Sequence, residues 1–88
     1  MPVYEVNIAV PGREVQTVTI QDERELERLS LALADDGYIA AEEVRIVWTG
    51  VEYEGRKGEY SALEQVGRIA VLANNVLFVR QLEVSVED

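Results

Sequence analysis

The sequence has no cysteine and no histidine. Without cysteine, a disulfide, a thiolate metal site and a redox thiol are all excluded. Without histidine, the commonest general base and metal ligand is missing too, and the serines have no imidazole to activate them. The sequence therefore predicts a protein that is not an enzyme, with no catalytic residue, no cofactor and no metal site.

Positive charge is also scarce, because eight lysines and arginines stand against 17 acidic residues and give a formal charge of −9. This sign repels the phosphates of nucleic acids and the headgroups of anionic lipids. Met1 is followed by a strand-like pattern rather than a basic and apolar leader, and no apolar run is long enough to span a bilayer. We expect a cytoplasmic protein that binds another protein and contacts neither nucleic acid nor membrane directly.

Apolar residues, in contrast, are plentiful and make up 48% of the 88 residues. This length suits a single domain, 1–88, with one hydrophobic core. A small domain buries a limited fraction of its surface, so part of this apolar material is expected to meet another chain. The sequence leaves open whether that chain is a different protein or a second copy in a homo-oligomer.

The first part of the chain predicts a β-hairpin. Apolar and polar residues alternate over residues 4–10, which is the period of a half-buried strand. Residues 15–20 are mostly β-branched and predict the second strand. Pro11 and Gly12 between them have the backbone preferences of a turn.

A helix is predicted to follow the hairpin. Asp22 stands three residues before Glu25, the spacing at which two side chains satisfy the free N–H groups of a helix start. Leucines at 26, 29 and 33 then form one apolar stripe. Gly37 suits the left-handed turn that ends a helix. An irregular loop is expected from Gly37 to Glu43.

The second half of the chain predicts more strands and a second helix. Residues 44–49 alternate as a strand, with Trp48 in the core. Thr49-Gly50 is predicted to be a turn into a short return strand at residues 51–54. A loop at 55–58 follows. Residues 61–75 have helical spacing after a capping pair. The alternative makes residues 69–72 a strand that Asn74-Asn75 turns into the next one. Residues 76–86 are a final strand, buried on both faces over 76–79.

This order of elements resembles the ubiquitin-like β-grasp fold. Residues 45–50, then Glu54-Gly55-Arg56 and the turn at Tyr60-Ser61, are similar to the third strand, glycine turn and following loop of ubiquitin-like domains. The chain ends in residues 85–88, Ser-Val-Glu-Asp, instead of the Gly-Gly of conjugation tags and sulfur carriers, so the resemblance implies neither of those roles. The length of segment 61–75 leaves a ferredoxin-like α/β sandwich with an added N-terminal strand as the alternative. Both are α+β folds with a mostly antiparallel sheet.

Two sets of residues are predicted to contact a partner. Tyr53 and Tyr60 flank the glycine loop, and aromatic side chains give a large contact area at low entropy cost. Arg56 and Lys57 within that loop are the one compact basic spot. These four residues predict the contact surface of a protein–protein interaction module.

An acidic face is the second set, and it predicts a different activity. Carboxylates can occupy the phosphate-binding groove of a basic nucleic-acid-binding protein, as an immunity protein or a phage anti-CRISPR would. Six residues are predicted to form this face: Glu23, Glu27, Asp35, Asp36, Glu42 and Glu43. Adjacent acids such as Asp35-Asp36 lack the spacing of a calcium loop, so we expect a solvated face there and not a metal site.

Overall fold

The computed structural model describes residues 1–53 and 56–82, and within 48–61 it describes the backbone alone. The described chain contains one α-helix, one 3₁₀ turn and five strands. In chain order they are β1 (Val3–Ile8), β2 (Gln16–Gln21), α1 (Leu26–Asp36), β3 (Tyr38–Tyr53), β4 (Arg56–Leu72), the 3₁₀ turn (Ala73–Asn75) and β5 (Val76–Leu82). The predicted α+β class is confirmed.

The five strands form one sheet in the order β4-β3-β2-β1-β5. All four pairings are antiparallel, which confirms the predicted sheet type. Strand β1 lies between β2 and β5, with Val3 opposite both Gln21 and Leu82. The predicted N-terminal hairpin is confirmed, with strand ends displaced by one or two residues.

Helix α1 covers one face of this sheet, which we call the inner face. Its buried residues are Leu29 and Leu33, two of the three predicted stripe positions. They pack in a core with Tyr4, Val6, Ile20, Ile39, Ala41 and Val71. The predicted helix end is confirmed, because Gly37 adopts φ 80° and its N–H donates to the Leu33 carbonyl at 3.0 Å. In the described chain no helix is long and apolar enough to cross a membrane.

The predicted start of the helix was wrong by several residues. The helix begins at Leu26 with Glu25 at the N-cap position, and no side chain caps it. The Asp22 carboxylate instead accepts hydrogen bonds from the backbone N–H and the guanidinium of Arg24. A carboxylate that is held by a neighbouring arginine is not available to cap a helix.

Strand β3 is longer than predicted at both ends. It begins at Tyr38, so the irregular loop over residues 37–43 was a wrong prediction. It also continues through Thr49-Gly50 to Tyr53, so the turn and the short return strand at 51–54 were wrong. The cause is the partner strand, because β3 pairs with β4 from Tyr38 opposite Leu72 to Tyr53 opposite Arg56.

The second helix predicted over residues 61–75 was wrong, since residues 61–72 belong to β4. The alternative prediction of a strand at 69–72 is confirmed. Val71 lies opposite Ile39 in the core, and Gly67 adopts φ 153°, a backbone conformation that residues with side chains rarely take and that does not occur in an α-helix. A glycine inside a helix costs about 1 kcal/mol relative to alanine, so this position favours the strand. The described chain therefore lacks the second α-helix that the ferredoxin-like alternative requires.

The connection from β4 to β5 crosses the whole sheet, because these are its two edge strands. The Asn74-Asn75 segment therefore does not close a hairpin between paired strands. Four residue steps span at most about 14 Å, whereas the edges of a flat five-stranded sheet are about 19 Å apart. The sheet must coil to bring these ends together, and hydrogen bonds from Ala73 N to Gly37 O (2.9 Å) and from Ala9 N to Asn75 O (2.8 Å) hold the crossing.

Strand β5 departs from its prediction in burial. Its position at the sheet edge leaves Leu77 and Phe78 exposed, so burial of residues 76–79 on both faces was wrong. The Arg80 guanidinium lies over the Phe78 ring, 4.9 Å from its centroid. Residues 83–86 of the predicted strand lie outside the described residues.

Candidate functional site

Strands β3 and β4 form a two-stranded ribbon that continues beyond their pairing with the rest of the sheet. Strand β3 pairs with β2 at only two positions, Glu42 opposite Gln21 and Glu43 opposite Ile20. Beyond Glu43, as far as Tyr53, β4 is its only sheet partner in the part of the chain that the structure describes. We call residues 44–53 together with 56–65 the distal ribbon. The β3 residues that pack with α1 in the core are Ile39 and Ala41, which precede the distal ribbon.

The dimensions of the molecule agree with a projecting ribbon. Its extents are 46 × 28 × 20 Å, and its radius of gyration is 14.3 Å. A compact domain of this length has a radius of gyration of about 12 Å. Nine residue steps of strand cover about 30 Å, which accounts for much of the long axis. The ribbon is therefore an arm on a compact body.

The ladder between β3 and β4 is irregular at three places. Its register shifts between Glu43 and Val44, between Ile46 and Trp48, and between Gly50 and Glu52. Extra residues of this kind bend a strand and increase its twist. The first shift lies directly after the last pair between β3 and β2.

The predicted aromatic and basic contact residues all lie in the distal ribbon. Tyr53 is opposite Arg56, Lys57 is opposite Glu52, and Tyr60 is opposite Gly50. The prediction of a loop over residues 55–58 was wrong for Arg56, Lys57 and Gly58, which belong to β4. The side chains of these contact residues, and of Trp48, lie outside the described part of the structure. The backbone register alone places the predicted set at the tip of one element.

The six predicted acidic residues do not share one surface. Glu23, Glu27, Asp35 and Asp36 are exposed on α1 and the segment before it. Glu42 lies on the outer face, where it accepts a hydrogen bond from Arg68 at 3.2 Å. Glu43 is opposite Ile20 and so belongs to the inner face. Four of the six residues are therefore exposed on or near α1, but Glu27 and Asp36 are nine residues apart and lie on opposite sides of the helix, and Glu42 and Glu43 lie on the sheet.

A partly buried ion pair, which the sequence did not predict, lies in the segment between β2 and α1. The Asp22 side chain is 7% exposed. It accepts from Arg24 Nε at 2.8 Å and from the Arg24 backbone N–H at 2.9 Å, both at Oδ1, and from a second guanidinium nitrogen at 2.8 Å at Oδ2. The Tyr4 hydroxyl donates to the Arg24 carbonyl at 2.7 Å. The two-residue spacing of opposite charges was the only sequence signal, and it is too common to be specific.

Two pKa shifts follow from this arrangement. The hydrogen bond from the Arg24 side chain holds the pKa of Asp22 below its ordinary value of 3.8. Burial, aided by the nearby Asp22 charge, raises the pKa of Tyr4 above 10.0. The shift at Asp22 is opposite to that of a general acid at neutral pH, which needs a raised pKa. The ion pair is therefore suited to holding the helix in place.

A cleft of about 480 Å³ opens beside this ion pair, between the segment before α1 and strands β3 and β4. Its charged lining residues are Asp22, Glu23, Arg24, Glu42 and Arg68. Both arginines are already paired with carboxylates. In the described chain no group of three or more acidic side chains is placed to hold a metal ion.

Comparison with known proteins gives no relative. No protein-family model matches the chain, and no curated protein or solved structure is significantly similar to it.

Proposed function

We propose that this chain is a non-enzymatic protein-binding module and that the distal ribbon is its principal contact element. The observation that supports the proposal is that, among the described residues, β3 and β4 continue past the last pair with β2 without a third strand beside them. An isolated two-stranded ribbon is only marginally stable in water. A partner that covers it supplies the packing that the chain itself does not.

The surface at and next to the base of the distal ribbon agrees with this role. Val47 on β3 and Val66 on β4 are large apolar residues that are exposed. Strand β4 is an edge strand along its full length, so its free edge can take another strand. Apolar side chains combined with a free backbone edge favour a polypeptide as the partner.

Removing the distal ribbon tests this function. In the trimmed variant residues 47–62 are deleted, and Ile46 is joined to Leu63, its register partner, by an Asn-Gly turn. We expect the helical circular dichroism signal to be kept, because the core residues lie outside the deletion. We expect the polypeptide that the full chain captures from its native host to be lost.

A second variant protects this test against misfolding of the trimmed chain. Tyr53→Ser combined with Tyr60→Ser keeps the ribbon length and removes the two aromatic anchors. Truncating a central aromatic contact typically costs binding about 2 kcal/mol, which is roughly thirtyfold in affinity. Capture of the same partner by both variants with unchanged affinity would refute the ribbon as the contact element. Light scattering of the captured complex separates a foreign partner from a second copy of the chain.

The acidic inhibitor of a basic nucleic-acid-binding protein is the second candidate function. One observation favours it: Asp35 and Asp36 occupy the last turn of α1, which has no basic residue. The C-terminal end of a helix carries a partial negative charge, so carboxylates there are unfavourable. A cationic partner surface would relieve this repulsion. In this candidate, α1 would lie in the phosphate-binding groove of the target.

Neutralising these two aspartates is expected to stabilise the free protein. The double variant Asp35→Asn and Asp36→Asn removes the unfavourable interaction with the helix end and should raise the free energy of unfolding by about 0.5–1 kcal/mol. If these two aspartates contact a basic target, the same change weakens that binding and reduces its dependence on salt concentration. Urea titration and binding at two salt concentrations measure both effects. Glu14→Gln, which removes one exposed negative charge in the hairpin connection, is the control for a loss of charge away from the helix end.

The likeness to the β-grasp fold stays part of the proposal. Its support is the order of hairpin, helix and further strands along the chain. The ribbon departs from it, because 16 and 17 residues of strand stand where a short return strand was expected.

A further inference from the structure

A second cleft of about 390 Å³ lies between β2 and β3, where the two strands separate. It is lined by three consecutive residues of β2, four consecutive residues of β3 and one residue of β4: Thr17, Val18, Thr19, Glu43, Val44, Arg45, Ile46 and Val66. Successive side chains of a strand point to opposite faces. Consecutive residues therefore line a cleft together only where the backbone edge of the strand borders it. This cleft, which we call the slot, lies between two strand edges.

The pairing pattern shows that both edges are free. Strand β2 pairs with β1 from Gln16 to Gln21 on one side, but with β3 only at Ile20 and Gln21 on the other. The backbone groups of residues 17–19 that point towards β3 therefore have no strand partner among residues 1–53 and 56–82. Residues 44–46 of β3 pair with β4 on one side and face the slot on the other. The slot closes at the pair Ile20–Glu43 and opens towards the start of β2.

We propose that the slot accepts an extended segment of another protein, which pairs as an additional strand with the free edge of β2. This deepens the proposed protein-binding function and rests on it. Only a polypeptide backbone supplies donors and acceptors that alternate at the spacing of a strand edge. Since β2 and β3 are antiparallel, the added strand runs parallel to one and antiparallel to the other.

The side chains around the slot indicate the composition of that segment. Thr17 and Thr19 lie on the outer face of β2, and Val44 and Ile46 share that face on β3, as the register at Gln21 and Glu42 requires. β-branched residues pack well against such neighbours. The chain carries a formal charge of −9, so a segment with net positive charge is attracted and a second copy of the chain is repelled.

The experiment uses a synthetic peptide of alternating valine and threonine with lysine at both ends, added to the full chain. Hydrogen exchange is followed by mass spectrometry. At a peptide concentration about ten times the dissociation constant, exchange in residues 17–19 and 44–46 should slow by about tenfold. The control peptide has the same sequence with alternate amides N-methylated, so its charge and side chains are kept while one hydrogen-bonding edge is removed. It should give no protection.

Closing the slot provides a test that does not depend on the peptide's affinity alone. Thr17 and Ile46 stand on opposite walls of the slot, and the chain has no other cysteine to interfere with labelling. In the variant Thr17→Cys with Ile46→Cys, a reducible cross-linker long enough to join the two thiols across the gap should abolish peptide binding, and its cleavage should restore it. Peptide binding that persists after cross-linking would contradict the slot.

Three outcomes would overturn the proposal that the slot accepts a strand. The first is no protection at residues 17–19 with millimolar peptide, and the second is equal protection by the N-methylated peptide. The third is protection that rises with protein concentration in the absence of peptide. The last result would assign the edge to self-association. The trimmed variant that lacks residues 47–62 keeps the slot, so it should bind the peptide even where it loses the captured partner. Failure of the ribbon and failure of the slot are therefore distinguishable.

Discussion

Replacing Leu29 by alanine is expected to lower the free energy of unfolding by about 3 kcal/mol, the middle of the range for deleting a buried leucine side chain. Leu29 is fully buried, and it contacts the core from the middle of α1. A domain of this size has about 5–10 kcal/mol of stability, so the loss is a large fraction of the total. Urea titration followed by circular dichroism measures it.

Leu31 on the same helix provides the matched control, because its side chain is 56% exposed. Leu31→Ala removes the same atoms from a position that faces water. We expect a change of less than about 0.5 kcal/mol, as for other surface substitutions. Equal losses at the two leucines would show that α1 does not pack on the sheet through the face that carries Leu29 and Leu33.

Replacing Arg24 by methionine is expected to lower the free energy of unfolding by about 1–2 kcal/mol at neutral pH, because the Asp22 carboxylate stays buried after losing its charged partner. This loss is small for a charged pair because the Arg24 side chain is 32% exposed and water screens its interaction with Asp22. Arg24 also donates to the Ala40 carbonyl at 3.3 Å, which ties the segment before α1 to β3. Urea titration measures the change.

The effect of Arg24→Met should depend on pH. The folded pKa of Asp22 lies below its unfolded value, so the pair contributes stability above about pH 4 that is lost as the pH falls through the folded pKa. In the variant, burial without the arginine raises that pKa. The difference in stability between the two proteins should therefore shrink between neutral pH and about pH 3. A difference that stays constant would contradict the role of the ion pair.

Arg68 is the matched control for Arg24, since it also pairs with a carboxylate through a hydrogen bond. Its side chain is 68% exposed and that of its partner Glu42 is 39% exposed. Exposed ion pairs contribute little, so Arg68→Met should change the free energy of unfolding by less than about 0.5 kcal/mol. Arg24→Lys, which keeps the charge and loses the planar fork, should fall between the two.

The parts of the fold that could be predicted from the sequence are those fixed by local preferences. Alternation over residues 4–10 needs no distant partner to specify a strand, and Gly37 ends the helix through its own backbone freedom. The predicted start of α1 was wrong because Arg24 donates hydrogen bonds to the Asp22 carboxylate, which was expected to cap the helix. Residue spacing could not predict this outcome, because it does not show how the Arg24 guanidinium is oriented towards the Asp22 carboxylate.

Strand β4 shows the limit of periodicity. Ser61 and Glu64 have the spacing of a helix cap, and the apolar residues after them fit a helical stripe as well as they fit a strand. The pairing of Ile39 with Val71 and of Ala41 with Ile69 decides the outcome, and it joins residues about thirty positions apart. Gly67, together with the two-residue alternation of Ile69 and Val71, was the signal that favoured the strand.

The candidate sites were predicted to different degrees. The aromatic and basic residues proposed as contacts, Tyr53, Arg56, Lys57 and Tyr60, lie within one element, although the element is a ribbon and not a loop. The acidic set was predicted by charge alone, and charge does not say which face of a strand carries Glu42 or Glu43. The slot has no signal in the sequence, since it arises where two strands that pair at one end separate.

The pairing of β1 with β5 determines when the molecule can become complete. Val3 lies opposite Leu82, so β1, an interior strand of the sheet, acquires its second neighbour only from a segment at the far end of the described chain. Contacts between such distant positions must overcome the entropy of closing a long loop, and they place a domain among slow folders, on the scale of milliseconds to seconds. During synthesis, β1 and β2 therefore leave the ribosome long before β5, and the edge of β1 that pairs with β5 has no partner until that strand is made.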